Sequence, residues 1–135
     1  MSAVDAATVW SLNYRVLLSV VSCVEADITA LGLDSKELFL LAEVDEHPYP
    51  AELAVTLSMP KATVTVYLKR LEAAGFVRRE IDTADLRRHR LLLTPAGRQA
   101  TKEGLALLSN AFNKRLERLT IAQQTELKKL LEQIV

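Results

Sequence analysis

The stretch LSMPKATVTVYLKRLEAAGFVRREIDTADLRRHRLLLTPAG, residues 57–97, decides the fold. It reads as a helix, a strand, a charged loop, a second strand and the start of another helix. Pro60 suits a first helical position, where its missing N–H would be unsatisfied in any case. Gly75 suits the position past the last turn, where a left-handed backbone is needed. Between them Val64, Leu68 and Leu71 recur at helical spacing with Tyr67 beside them, one apolar stripe that must face a core. The opposite side carries Ala62, Thr63, Thr65, Val66, Lys69 and Arg70, residues that are small, hydroxylic or cationic.

Such a face fits a major groove. Thr63 and Thr65 can bond base edges or phosphates, Lys61, Lys69 and Arg70 can neutralise phosphates, and Val66 or Ala62 can pack on a thymine methyl. An ordinary solvated helix face has the same composition, so the helix alone does not separate the two readings. The segment after Gly75 separates them. Phe76–Ile81 and Arg90–Leu93 read as strands, and the connection from Asp82 to His89 is too long for a tight hairpin and too charged for a core. Asp85 lies two residues before Arg87, and a carboxylate so placed can bond the guanidinium and aim it. Asp85 therefore reads as a brace and Arg87 as the tip it directs toward a narrow minor groove, with Arg88 as a neighbouring cation. The competing reading is a mobile hairpin with solvent-screened charges.

Taken together, Pro60-Lys61-Ala62-Thr63-Val64-Thr65, then Arg70-Leu71-Glu72 and Gly75, then Arg79, Asp82, Asp85, Arg87 and Leu93-Thr94-Pro95-Ala96-Gly97 resemble the winged helix-turn-helix core of the MarR (multiple antibiotic resistance regulator) family. The order of motifs is similar from about Leu33 to Val135. The resemblance implies a homodimeric transcription regulator, with a recognition helix in the major groove and a wing at the minor groove. It also implies that Asp85 and Arg87 pair. Three positions depart from the family pattern: Val66 and Leu86 stand where cations are common, and Tyr49 where an N-capping threonine is usual. These bear on operator sequence and affinity rather than on class.

A chain of 135 residues, 50% of them apolar, can bury a core without metals or disulfides. Few aromatic, glycine and proline residues point to a mainly α protein with a small β-hairpin wing. One winged-helix domain is expected over residues 1–135, with a DNA-binding core near 34–95 and dimerisation helices near 3–31 and 95–135. Net charge is zero but unevenly laid out: 2 cations and 9 anions precede Lys61, whereas Lys61–Arg90 holds 8 cations and 4 anions. That layout favours attraction through one face and repulsion elsewhere.

In the N-terminal part Trp10, Tyr14, Leu17, Val21, Val24, Ile28 and Leu31 alternate by four and three, and a second stripe, Leu12, Val16, Val20 and Cys23, lies around the cylinder. One face can cover the chain's own core; the second implies another surface, read here as a dimer contact. The apolar run Arg15–Val24 is short for a membrane span, which needs about 20 residues, so neither a span nor a leader is expected. Gly32 ends this helix, and Asp34 with Glu37 forms a capping box for the next, Ser35 to about Val44. Pro50 opens a short helix to Leu57, whose Leu53, Ala54 and Leu57 are expected to pack on the recognition helix. Thr94 and Pro95 start a long helix to about Leu119, and Thr120 with Gln123 caps the last one.

Catalysis finds no support: no phosphate-cradling glycine loop, no His-Glu-x-x-His and no nucleophile elbow occurs. No catalytic residue, metal ligand or cofactor is assigned. His47 and His89 lie in separate expected loops, and Cys23, in an apolar neighbourhood without a nearby cation, reads as unreactive. A single cysteine fits a reducing, cytoplasmic compartment. The leading reading is a dimeric repressor on a pseudo-palindromic operator, its half-sites about 34 Å apart. A small-molecule effector would release it by favouring another spacing of the recognition helices. Trp10, Tyr14, Phe39 and His47 are the candidate effector contacts, with core packing the competing role for the three aromatics. Two alternatives share the fold. A winged-helix protein-interaction module would lack salt-dependent DNA affinity, and a small-molecule-binding or catalytic helical dimer would need a polar pocket.

Overall fold

The computed structural model describes residues 3–135. Its elements run α1 (Ala6–Ala30), α2 (Ser35–Glu43), α3 (Pro50–Thr56), α4 (Lys61–Ala73), β1 (Val77–Ile81), β2 (His89–Leu93), α5 (Pro95–Leu116) and α6 (Ile121–Ile134). The mainly helical architecture with one hairpin is the one read from the sequence. Two compact units form. One comprises Met1–Val24 and Leu107–Val135, the other Glu25–Ala106.

Local chemistry fixes the boundaries in the second unit. Asp34 accepts the Glu37 N–H at 2.7 Å while the Glu37 carboxylate accepts the Asp34 N–H at 3.1 Å, so the expected capping box closes in both directions. Gly32 and Gly75 both adopt positive φ, +87° and +80°, as helix-terminating positions require. Pro60 is displaced by one position from its expected place: with ψ 144° it is the N-cap of α4, and Lys61 is the first helical residue. Its ring still presets φ at −59° for the entry into the helix.

The core of this unit comes from the apolar stripes. Leu38, Leu41, Leu53, Leu68 and Leu71 are fully buried, with Val64 beside them. Each such leucine contributes about 1.5–3 kcal/mol of burial free energy. β1 and β2 pair antiparallel from Val77 with Leu93 to Ile81 with His89. Leu91 is buried, and its N–H donates to the Pro48 carbonyl at 2.8 Å, which fastens the hairpin to the α2–α3 connection. Thr94 completes the far end of the hairpin. Its hydroxyl donates to the Gly75 carbonyl at 2.5 Å and accepts the Gly97 N–H at 3.0 Å, capping α5 as expected.

The first unit has a different character. The capping box at Thr120 and Gln123 again closes in both directions. Apolar side chains are nevertheless left in solvent: Trp10, Leu12, Tyr14, Val16, Leu17 and Leu18 of α1, and Leu130, Leu131 and Ile134 of α6. The two stripes of α1 are thus not divided into a buried and a free face. Exposure follows position along the helix, with Val20, Val24 and Ile28 buried and the preceding residues open on both stripes. Cys23 is exposed, not enclosed among apolar neighbours. The apolar run is also longer than Arg15–Val24. An 18-residue window of α1 has mean hydropathy 1.3, enough to cross a membrane by length and composition.

Candidate nucleic-acid interface

α3, a short turn and α4 form a helix-turn-helix held by Leu53 and Ala54 of the first helix and Val64, Leu68 and Leu71 of the second. The turn includes Ser58 at φ 52°, and Met59 donates its N–H to the Ala54 carbonyl at 3.0 Å. With the apolar stripe inward, Lys61, Thr65, Val66 and Lys69 are exposed and Thr63 is half-buried. The Thr65 hydroxyl donates to the Lys61 carbonyl at 3.0 Å, so its proton is committed to the helix and its oxygen is left as an acceptor. Val66 is 56% exposed, and with the exposed Ala62 it supplies the apolar atoms of this face.

Arg70 is oriented differently. Its guanidinium donates to Glu37 Oε1 at 3.1 Å, lies 3.7 Å from Asp34 and stands 5.6 Å from the Tyr67 ring centroid. Glu37 is almost wholly buried, so this cation compensates a desolvated carboxylate at the start of α2. The sequence places Arg70 among the phosphate-neutralising residues; its ion pair joins the recognition helix to α2.

The wing has the expected brace. Asp85 Oδ1 accepts both the backbone N–H of Arg87 at 3.0 Å and its Nε–H at 3.2 Å, while the Arg87 side chain stays 92% exposed. The loop is closed below by Asp82 N–H donating to the Arg88 carbonyl at 2.9 Å. Arg88 does not project freely. Its guanidinium lies 3.4 Å from the Tyr49 ring centroid, and the Tyr49 hydroxyl donates to Asp82. That bond holds the Asp82 carboxyl below its usual range and, as its first cause, raises the Tyr49 phenol.

Between the start of α4, the start of α3 and the wing lies a cleft of about 490 Å³ lined by Tyr49, Pro50, Ala51, Lys61, Thr65, Arg79, Arg87, Arg88 and His89. Four permanent cations and a histidine line it, and the carboxylates that pair with three of them, Glu72, Asp85 and Glu52, stay outside its wall. Such a concavity concentrates anions. The sequence alone does not assign Tyr49, Arg79 or His89 to the site. Arg79 alternates along a strand and also pairs with Glu72, and His89 belongs to β2, not to the loop. The effector candidates are divided: Trp10 and Tyr14 stack at 5.8 Å in the first unit, whereas Phe39 and His47 are half-buried residues of the second. His47 lies 3.9 Å from Glu43.

A helix-turn-helix followed by a two-stranded hairpin with a cationic tip defines a winged helix-turn-helix protein. Residues 31–88 match the sequence profile described as MarR family. The chain is 33% identical over 136 aligned positions, covering 99% of it and 98% of the relative, to the HTH-type transcriptional repressor Rv2887 of Mycobacterium tuberculosis. It belongs to the MarR family.

Solved structures agree. Rv2887 in complex with DNA superposes with a TM-score of 0.73 at 33% identity, covering 92% of this chain and 94% of that one. Rv2887 in complex with p-aminosalicylic acid gives 0.73 at 32% identity, over 92% and 95%. A crystal structure of MarR itself, at 22% identity and over 99% and 91% of the two chains, gives 0.82 and shows the shared fold.

Proposed function

We propose that this chain is a homodimeric repressor that occupies a pseudo-palindromic operator and releases it on binding a small aromatic acid. The observation that carries the DNA role is the cleft between α4 and the wing, whose wall is lined by Lys61, Arg79, Arg87 and Arg88, with the Arg87 tip held by Asp85. Lys61, Thr63, Thr65, Val66 and Lys69 enter the major groove, and Asp85 orients Arg87 at the minor groove, with Arg88 behind it. Arg70 is assigned the internal ion pair with Glu37 in place of a phosphate. The complex of Rv2887 with DNA supports this reading, and its complexes with salicylic and p-aminosalicylic acid support the class of effector.

The exposed apolar residues of α1 and α6 are the dimer contacts, and the paired recognition helices stand about one DNA turn apart. A regulator of this kind works in the cytoplasm and carries out no catalysis. Selection of bound fragments from random duplex DNA, followed by affinity measurement over a range of salt, tests the reading. Enrichment of an inverted repeat with affinity falling steeply with salt is expected. Enrichment of no sequence, together with salt-independent retention, would favour a protein-interaction module.

A further inference from the structure

Tyr49 stands at the N-cap of α3, yet its side chain makes no capping bond to that helix. Its hydroxyl donates instead to Asp82 Oδ2 at the mouth of the wing loop, 33 residues away. The other oxygen of Asp82 accepts the Ala84 N–H at 2.8 Å, and the Asp82 N–H donates to the Arg88 carbonyl at 2.9 Å. One residue thus closes the base of the loop, and one phenol ties that residue to α3. The same aromatic ring carries the Arg88 guanidinium, which lies 3.9 Å from Glu52 of α3 as well.

We propose that Tyr49 is a positioning residue for DNA binding, which fixes the wing against the first helix of the helix-turn-helix so that Arg87 and α4 meet the duplex as one surface. The inference rests on the proposed DNA-binding function. The physical need is plain. A two-stranded ribbon with five-residue strands has little stability of its own. A wing that is loose in the free protein must be ordered on binding, and that cost is subtracted from affinity. A tie already present in the free protein removes it. The phenol supplies this in two directions, donating through its oxygen to an anion and offering its face to a cation.

The test uses the full chain and Tyr49→Phe, which keeps the ring and deletes only the hydroxyl. In the free protein, hydrogen exchange at the Asp82, Ala84 and Arg88 amides should quicken while the amides of α4 keep their protection. Affinity for the selected operator should fall about 10- to 100-fold, on the scale of one lost hydrogen bond to a charged group, with the salt slope unchanged. In an Asp82→Ala background the same substitution should add little, because both act through one bond. Unaltered exchange would show that the phenol does not hold the wing. Faster exchange with unaltered affinity would show that wing order is not needed for binding. A slope reduced by one would show that a cation's phosphate contact is lost with the hydroxyl, so that Tyr49 aims that cation instead of ordering the wing. If the unsubstituted protein binds no duplex, the DNA-binding function is what fails, and the exchange result still reports on the tie.

Discussion

Arg87 and Arg70 carry the same charge, but Arg87 pairs within its own loop and remains in solvent, whereas Arg70 reaches a carboxylate that is nearly buried. Their substitutions should therefore separate. Arg87→Ala is expected to leave urea stability within about 0.5 kcal/mol, since exposed pairs contribute little, and to lower the salt slope of DNA binding by about one unit. Asp85→Ala should weaken binding too, although it removes a negative charge; tighter binding would mean that simple repulsion governs the loop. Arg70→Ala should show the reverse pattern, a stability loss of about 1–2 kcal/mol from the Glu37 carboxylate left unpaired and little change in salt slope. A slope lowered by one with stability intact would return Arg70 to the DNA-contacting set. The Asp85–Arg87 pair was legible in the sequence because its partners are two residues apart. The Arg70–Glu37 and Tyr49–Asp82 pairs each join residues 33 apart, and no periodicity announces such a meeting.

Helix ends show the same division between local and distant causes. Both capping boxes and the terminating glycines at 32 and 75 were legible, since a cap is decided within four residues. The glycines of α5 were not, because what excludes a side chain there comes from elsewhere in the chain. A Cβ at Gly97 would collide with the Phe76 carbonyl, and one at Gly104 would lie 2.5 Å from a methyl of the fully buried Leu38. Gly75 has open space around it but a positive φ. Gly75→Ala should accordingly cost about 1 kcal/mol in urea unfolding and Gly97→Ala about 3 kcal/mol or more, with Gly104→Ala between them. Equal costs at 75 and 97 would count against the close backbone approach. Element ends also set the acid response. The Asp5 carboxyl is lowered chiefly by the Thr8 hydroxyl, that of Asp82 by Tyr49 and that of Asp45 by Arg98. A lowered carboxyl favours the fold above its unfolded value, near 3.8 for aspartate, and the contribution disappears as pH falls through the folded value. Stability should be level from pH 7 to about 5 and decline below about 4; Asp45→Asn should flatten part of that decline.

At the scale of the whole molecule, the two units differ in what they bury. Glu25–Ala106 encloses a leucine-rich core, whereas the unit of Met1–Val24 and Leu107–Val135 leaves Trp10, Leu17 and much of α6 open to water. An apolar surface of that kind needs an occupant. The sequence showed that α1 has more apolar residues than one face requires, but not which stretch would stay uncovered, because that depends on how far its neighbours reach along it. A second copy and a lipid bilayer are the two occupants that α1's composition allows. They leave different traces. If two chains pair, sedimentation should give a dimer at micromolar concentration, and Trp10, the single tryptophan and 66% exposed in one chain, should emit as a shielded indole. Leu17→Glu should then yield monomers, move that emission to longer wavelength and reduce operator affinity by at least about tenfold, since two linked half-sites bind far more tightly than one. The fold of the Glu25–Ala106 unit should survive, because Leu17 lies outside it. A wild-type monomer that gains shielded emission only on adding neutral phosphatidylcholine vesicles would instead assign α1 to a membrane, and the paired geometry on which operator spacing depends would have no source.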